Sequence, residues 1–221
     1  MTFSLLAKDS DTGAIGGVAA TGSLCVGGWV LRGRLDAGMS ASQGAAPSTF
    51  WGEDVLDAMA SGTDAGTAVT RVTGPDTGRE WRQLSAMDMT GAGAAFTGIS
   101  NTPQMHSRTF DGGVAAGNML ASKQVVEVLA NTFLASEGSF ERRLLGALRA
   151  AQAAGSDMRG LFSAALLVLR PDHAPLTLRI DFHESDPIGA LEELHARATS
   201  GDYGDWARQV PCLDDPMRVL D

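Results

Sequence analysis

The chain has 221 residues, of which 44% are hydrophobic and 19% charged, and its formal net charge is −9. This length and a mean hydropathy near zero suit one packed domain and exclude a disordered chain. The acidic balance argues against a nucleic-acid partner, because nucleic-acid phosphates attract lysine and arginine.

The amino-terminal stretch contains neither a basic leader with an apolar run nor a small-residue cleavage site, so no secretory signal is expected. No apolar run has the length of a membrane span, and no membrane partner is expected. Cys25 and Cys212 have no spacing typical of a metal site or a disulfide framework. We therefore expect two buried thiols and a cytoplasmic protein.

The first half of the chain predicts four strands followed by two helices. Alternation over 2–8 predicts a strand that begins directly at Thr2, and further strands are predicted over 14–24, 29–34 and 37–44, with CVGG at 25–28 as a loop. A helix is predicted over 46–62, with Ser48 or Thr49 as its cap, and a weaker helix over 64–74.

The second half predicts a hairpin, helix pairs and a final strand pair. The hairpin covers 79–98, and a further strand covers 112–120. Helices are predicted over 122–138 and 139–155, capped by Ser122 and Ser139, and a helix follows Asp186-Pro187 as far as residue 198. Between them lie a continuous apolar strand at 162–170 and an alternating strand at 176–182 that includes Phe182.

Strand groups that alternate with helix pairs favour stacked sheets with helices outside, rather than a Rossmann arrangement. We predict one α+β domain over residues 1–221, in which 201–221 form a loop-like carboxy-terminal tail.

Familiar catalytic motifs are absent from the sequence: it has no Walker A loop, no H-E-x-x-H and no G-x-S-x-G. His183 lies among carboxylates in DFHESD, which leaves a metal site there as one alternative. Alternation on a strand separates these side chains, and a helix cap explains them equally well, so no metal or other cofactor is expected.

Thr2 offers a different chemistry. A free amino-terminal amine has a pKa near about 7.7–8.0 and can activate a hydroxyl on the same residue, provided that Met1 is removed. The structural alternative is that Thr2 is only a residue with a preference for β-strands.

Several sequence blocks resemble one family along nearly the whole chain: TFSLLAKDSDTG, REWRQLSAMD followed by AAFTG, AAGNML, AAGSDMRGLFSAALLVLR and LRIDFHESDP. The chain resembles the bacterial and archaeal family of domain of unknown function 1028, within the N-terminal nucleophile (Ntn) hydrolase superfamily. That resemblance implies a four-layer αββα sandwich, in which two mainly antiparallel sheets lie between helix layers.

The resemblance also implies site residues. Thr2 falls at the position of the nucleophile, Arg34 near a basic residue that balances its charge, and Asp157 at an acid that orients the terminal amine. Gln43 and Gly44 fall at an oxyanion hole. Asn118 is expected to donate its amide to substrate or oxyanion, and Arg159 to bind a carboxylate. The alternatives are a rim salt bridge for Arg34, a turn or cap for Asn118 and a loop role for Asp157. Gln83 is interpreted as a sheet residue.

We therefore expect an amidohydrolase that cleaves an amide bond of a small-molecule or peptide-like substrate, with Thr2 as nucleophile. The resemblance further implies a homo-oligomer. The alternative is a non-catalytic module of the same fold that binds a ligand or serves assembly.

Overall fold

A computed structural model of the chain describes residues 1–155 and 160–220. Six antiparallel strands form the larger sheet, which we call sheet A. In chain order they are β1 (Thr2–Lys8), β2 (Ile15–Thr21), β7 (His106–Phe110), β8 (Gly113–Asn118), β9 (Ser163–Arg170) and β10 (His173–Ile180). Their spatial order is β10-β9-β2-β1-β8-β7, so the amino terminus enters the middle of the sheet rather than its edge.

Four antiparallel strands form the smaller sheet, sheet B, in the order β3-β4-β5-β6. Its strands are β3 (Leu31–Arg34), β4 (Gly38–Gly44), β5 (Arg82–Asp88) and β6 (Gly93–Thr97). The helices are α1 (Val26–Trp29), α2 (Thr49–Ala60), α3 (Ala65–Thr73), α4 (Gln124–Ala135), α5 (Phe140–Ala153), α6 (Pro187–Ala198) and α7 (Gly201–Ala207), and a 3-10 turn covers Arg79–Trp81. Among the described residues, none of these helices combines the length and apolarity needed to cross a membrane.

Three apolar clusters confirm the predicted αββα layering. One joins the outer face of sheet A to α4, α5 and α6, through residues such as Phe3, Leu129 and Leu148. A second lies between the two sheets. A third packs α2 and α3 onto sheet B. Each sheet is therefore covered by helices on one face and by the other sheet on its second face.

The layer between the sheets is apolar at one end and polar at the other. Leu6 lies opposite Val114 in sheet A, and Met39 lies opposite Met87 in sheet B. At the other end of the same strands, Thr2 lies opposite Asn118, and Gln43 lies opposite Gln83. Because side chains on one face of a strand recur every second residue, all of these residues face the inter-sheet layer.

The predicted loop at CVGG is wrong, because residues Val26–Trp29 form the short helix α1. Its first turn is stabilised by a residue of β9: the backbone N–H of Val26 donates to Ser163 Oγ at 3.1 Å. Gly27 packs so closely that a Cβ there would lie 2.6 Å from Arg179 Cγ. This helix depends on contacts with β9 and β10 that sequence periodicity does not reveal.

The second half of the chain required further corrections. The loop-like tail is wrong over Gly201–Ala207, which form α7, and β7 was not predicted. Phe182 lies beyond the end of β10 and is 58% exposed, contrary to the predicted alternation. Among the predicted caps, Ser48 accepts from the N–H of Trp51, whereas Ser139 occupies its cap position without a side-chain hydrogen bond. Helix α4 begins one residue after its cap position at Lys123, and Ser122 Oγ accepts from the N–H of Gln124.

Candidate functional site

Thr2 is the first residue of β1, and its side chain lies at the polar end of the inter-sheet layer. Thr2 Oγ1 lies 3.0 Å from Thr21 Oγ1, on the neighbouring strand β2. Thr21 Oγ1 donates to the carbonyl oxygen of Met1 at 2.5 Å. Met1 itself is only 2% exposed and packs in the cluster beneath α4 and α5.

These contacts fix the direction of the Thr2 hydroxyl proton. A hydroxyl has one proton to donate, and that of Thr21 is used on the Met1 carbonyl oxygen. The hydrogen bond between the two threonines must therefore run from Thr2 to Thr21. The lone pairs of Thr2 Oγ1 are then left on the side away from that donated bond.

Thr2 lines a cavity of about 400 Å³ that also contains Gln43 and Gly44. Both predicted oxyanion-hole residues and the predicted nucleophile thus border the same space. The remaining described lining is mainly apolar, and it includes Trp29, Val30 and Met119. No side chain among the described lining residues carries a charge.

Gly44 ends β4 in a backbone conformation that requires glycine. Its φ is +132°, and a Cβ at this position would lie 2.6 Å from the carbonyl oxygen of Trp81. The N–H of Ser42 donates to Val30 O, so strand alternation directs the N–H of Gly44 toward the same edge of β4. Strand β3 begins only at Leu31, which pairs with Ala41, and so leaves that edge uncovered at Gly44.

Gln83 connects the two sheets beneath this cavity. Its Nε2 donates to the carbonyl oxygen of Gly117 at 3.0 Å and to that of His106 at 3.2 Å, both in sheet A. Its Oε1 accepts from Gln43 Nε2 at 2.7 Å and from Asn118 Nδ2 at 3.2 Å. The interpretation of Gln83 as a mere sheet residue was too limited, because its side chain orients two predicted site residues.

Asn118 lies directly opposite Thr2, but its amide group is held within the protein. Its amide nitrogen, expected to donate to substrate, already donates to Gln83. Asn118 Oδ1 and Gln43 Oε1 are both buried and have no hydrogen-bond partner among the described residues. Both oxygens are thus buried acceptors, and each amide nitrogen is held by Gln83 Oε1.

Arg34 is not brought to this group. It pairs with Gly38 at the start of β4, five residues before Gln43, which is about 17 Å along a strand. Its guanidinium contacts Asp57 at 2.6 Å and Asp36 at 2.8 Å, and these two carboxylates, Asp36 foremost, hold the pKa of Arg34 above its ordinary value. The alternative of a rim salt bridge describes this geometry. Asp157 and Arg159 lie outside the described residues.

The carboxylates around His183 have structural partners. Asp181 binds Arg179 at 2.9 Å. Asp186 accepts from the N–H of Gly189 at the start of α6 and binds Arg149 at 2.8 Å; the Arg149 hydrogen bond, more than any other contact, lowers the pKa of Asp186. His183 Nδ1 accepts from the N–H of Asp186 at 2.9 Å. Within the described chain, no group of three or more such side chains is placed to hold a metal ion.

Two contributors to the site were missed by the sequence reasoning. Thr21 lies within the strand predicted over 14–24, and its hydroxyl directly opposite Thr2 in the β1–β2 hairpin is a usable signal. Asn101 is fully buried, and its Oδ1 accepts from the N–H of Ala45, next to Gly44, at 2.9 Å. No local pattern marks Asn101, because its partners are distant in sequence.

Comparison with known proteins gave two kinds of match. A model of the family of unknown function DUF1028 matches residues 2–191. The crystal structure of a DUF1028-family protein from Silicibacter pomeroyi is 60% identical, with a TM-score of 0.96, and the match covers 100% of this chain and 99% of that chain. The crystal structure of HslV from Trypanosoma brucei is 14% identical, with a TM-score of 0.46, over 77% of this chain and 99% of that one. No curated protein matches the chain.

Proposed function

This chain belongs to the family of unknown function DUF1028, and on that premise we propose that it is an Ntn amidohydrolase with Thr2 as its nucleophile. The observation that carries the proposal is the position of Thr2 Oγ1. It lies in the wall of a cavity that Gln43 and Gly44 share, 3.0 Å from Thr21 Oγ1.

The base in this mechanism is the α-amine of Thr2, which becomes free when Met1 is removed. No described side chain of the cavity lining is a base at neutral pH, so the amine is the group available for the task. Thr21 Oγ1 now holds the carbonyl group attached to that nitrogen. After removal of Met1, Thr21 is placed to hold the amine itself, as a positioning residue.

The reaction then has two steps. The amine accepts the proton of Thr2 Oγ1, and this oxygen attacks the carbonyl carbon of the substrate amide. The N–H of Gly44 stabilises the oxyanion that forms. The C–N bond breaks, and the departing amine takes the proton from the α-ammonium. Water, activated by the same amine, hydrolyses the ester and releases the acid.

The three remaining predicted site residues, Arg34, Asp157 and Arg159, do not all take part in this mechanism. Arg34 has no part in it, because its guanidinium is paired with Asp36 and Asp57 at the far end of β4. Asp157 and Arg159 keep the roles that the resemblance implied, as an acid that orients the amine and as a group that binds a carboxylate.

A non-catalytic module is the second candidate function, and the burial of Met1 favours it. Met1 covers the Thr2 nitrogen, which is an amide while Met1 is attached, and a chain that kept this residue would have no terminal base. Such a protein would use the same cavity only to bind a ligand.

Acyl transfer to Thr2 tests the proposal. The protein is prepared from a fusion cleaved directly before Thr2 and is incubated with p-nitrophenyl acetate. We expect one acetyl group on Thr2 by intact and peptide mass, and a rate at least about 100-fold lower for Thr2→Val. Thr177→Ala, an exposed threonine on β10, is the matched control and should react normally.

Protein that keeps Met1 is the second control. It should remain unacetylated, because its Thr2 nitrogen is not a base. Equal acetylation with and without Met1, or in Thr2→Val, would exclude Thr2 as the nucleophile and favour the binding module.

A further inference from the structure

The wall of the Thr2 cavity is mostly apolar and carries no charged side chain among its described residues. Its larger apolar side chains come from the segment before α1, from α1 and the residue after it, and from the segments after β4 and β8: Leu24, Val26, Trp29, Val30, Pro47 and Met119. An ion in this cavity would lose hydration without meeting an opposite charge from these side chains. The lining therefore favours an uncharged group.

This apolar wall extends from the buried interior to the surface. Val26 is 1% exposed and Val30 4%, whereas Leu24 and Trp29 are 55% and 52% exposed. Exposed apolar side chains that border a cavity together with buried ones are typical of a ligand-binding site. An apolar chain in the cavity can therefore make contacts with both pairs of residues.

Two segments of the wall have a backbone conformation that is unusual for their residue types. Cys25 has a φ of 60° and lies between two lining residues, and Met119, itself a lining residue, has a φ of 52°. They are the only non-glycine residues with positive φ in the described part of the chain. Residues with a Cβ keep this conformation only where their surroundings hold it, and such residues cluster at ligand sites.

Hydrogen bonds to distant segments hold both of these residues. The N–H of Cys25 donates to the carbonyl oxygen of Asp181 at 3.0 Å, and the N–H of Met119 donates to that of Asn101 at 3.1 Å. The apolar wall is thus held in place without a ligand. A wall that is already ordered lowers the entropic cost of binding an apolar group.

The acyl group is the part of the substrate that this cavity has to hold. In the proposed reaction the amine leaves when the C–N bond breaks, whereas the acyl carbon stays bonded to Thr2 Oγ1 until water releases it as a carboxylic acid. Because Thr2 lines the cavity, the rest of the acyl group borders the same apolar wall in the ester intermediate.

We propose that the site accepts amides whose acyl group is an uncharged apolar chain, and that the apolar wall excludes acyl groups with a terminal charge. This inference rests on the proposed function of Thr2 and specifies the substrate class of that site. Leu24, Val26, Trp29 and Val30 contact the chain and determine specificity. They take no part in bond breaking.

Three p-nitroanilides with the same six-carbon acyl chain test this inference: hexanoyl, 5-carboxypentanoyl and 6-aminohexanoyl. With protein cleaved directly before Thr2, we expect kcat/KM for the hexanoyl compound to exceed that for either charged compound by at least about 100-fold. The net charge of −9 would repel only the carboxylate and would attract the ammonium group. Loss of activity with both charges therefore identifies the apolar lining as the cause.

Trp29→Ala removes the largest apolar side chain of the wall. The ratio of kcat/KM for the hexanoyl compound to that for acetyl p-nitroanilide should fall at least about 5-fold, because the longer chain loses apolar contact. Trp206→Ala, on α7 and 46% exposed, is the matched control and should keep the wild-type ratio. A ratio unchanged in Trp29→Ala would overturn the inference.

Binding is measured separately on Thr2→Val by following the indole N–H resonance of Trp29 as each compound is added. Tighter binding of the hexanoyl compound than of both charged compounds supports recognition of an apolar chain, whether or not turnover occurs. Thr2-dependent cleavage of all three compounds at equal rates would overturn the inference and keep the proposed function. Selective binding without any hydrolysis would overturn the proposed function alone, and the absence of both binding and cleavage would overturn both.

Discussion

At the scale of single residues, hydrogen-bond direction decides what the site can do. The Met1 carbonyl group determines which way the Thr21 proton points, and Thr21 determines the direction of the Thr2 proton. In the same way, two backbone carbonyl groups orient Gln83, and Gln83 orients Gln43. Backbone carbonyl groups, which can only accept, thus set the direction of the hydrogen bonds on both sides of the site.

Gly44→Ala is the prediction that belongs to this scale. The φ of +132° alone should cost about 1–3 kcal/mol for a residue with a Cβ, and the contact of 2.6 Å with Trp81 O adds to that. We expect lower stability in urea unfolding and loss of acyl transfer to Thr2.

Gly62→Ala is the matched control for this substitution. Gly62 has a φ of +90° but no atom within 4 Å of its added Cβ, so only the conformational part of the cost should appear. Equal losses in the two variants would show that the close approach at Gly44 does not matter.

At the scale of elements, loops are held to strands by buried polar side chains. Asn101 accepts from the N–H of Ala45 and donates to the carbonyl oxygens of Gly98 at 2.9 Å and Arg82 at 3.1 Å. It therefore ties the segment after β4 to β5 and to the residue that follows β6. The contact with Ala45 lies one residue after Gly44.

Asn101→Ala should lower the free energy of unfolding by roughly 2–4 kcal/mol, because several buried backbone groups lose their partner. The control is Asn131→Ala, an exposed asparagine on α4 that binds Arg108, and it should cost much less. Chemical denaturation measures the loss of stability in both variants, and similar losses would contradict the role of Asn101 in holding the segment after β4.

The packing of α6 on α5 gives a prediction about pH. Burial, more than the opposing effect of Glu141, holds the pKa of His195 below its ordinary value of 6.5, and Arg142 lowers it further. The folded state therefore favours neutral His195, so its contribution to stability is present above about pH 6.5 and decreases as pH falls through that value.

His195→Gln should flatten this decrease. Urea unfolding of wild type and variant, measured between about pH 7.5 and about pH 5.5, gives the difference. The exposed His173→Gln is the control and should keep the wild-type slope. A slope unchanged in His195→Gln would show that another group is responsible.

At the scale of the whole molecule, the two sheets share one interior layer with a chemical gradient along it. Leu6 and its neighbours supply apolar cohesion at one end, and the Gln83 network supplies hydrogen bonds and the candidate site at the other. The single domain over 1–221 and the homo-oligomer stay predictions.

Leu6→Ala tests the cohesion between the sheets. Leu6 is fully buried, and its truncation should cost about 2–5 kcal/mol. Leu134→Ala, on the surface of α4 and 45% exposed, is the control.

Tryptophan fluorescence and circular dichroism should give coincident unfolding curves in the wild type if the chain is one domain, and separate transitions would contradict that prediction.

The sequence by itself determined the elements whose periodicity is strong and local. The buried strand β9, the amphipathic helices α2, α4 and α5 and the hairpin of β5 and β6 were all predictable, because burial of one face leaves a regular apolar pattern. Thr2 was likewise identifiable as a candidate nucleophile, since that hypothesis depends only on residue type and position.

Only the tertiary structure decided the rest. Helix α1 forms through contacts with Ser163 and Arg179, and Asn101 acts on a segment about 55 residues earlier in the chain. Arg34 is near Gln43 in sequence, yet the antiparallel register of β3 and β4 places them at opposite ends of a strand. The amide groups of Asn118 and Gln43 are oriented by Gln83, whose Oε1 accepts a hydrogen bond from each. Such properties depend on which groups meet across the two sheets, and no local pattern records those meetings.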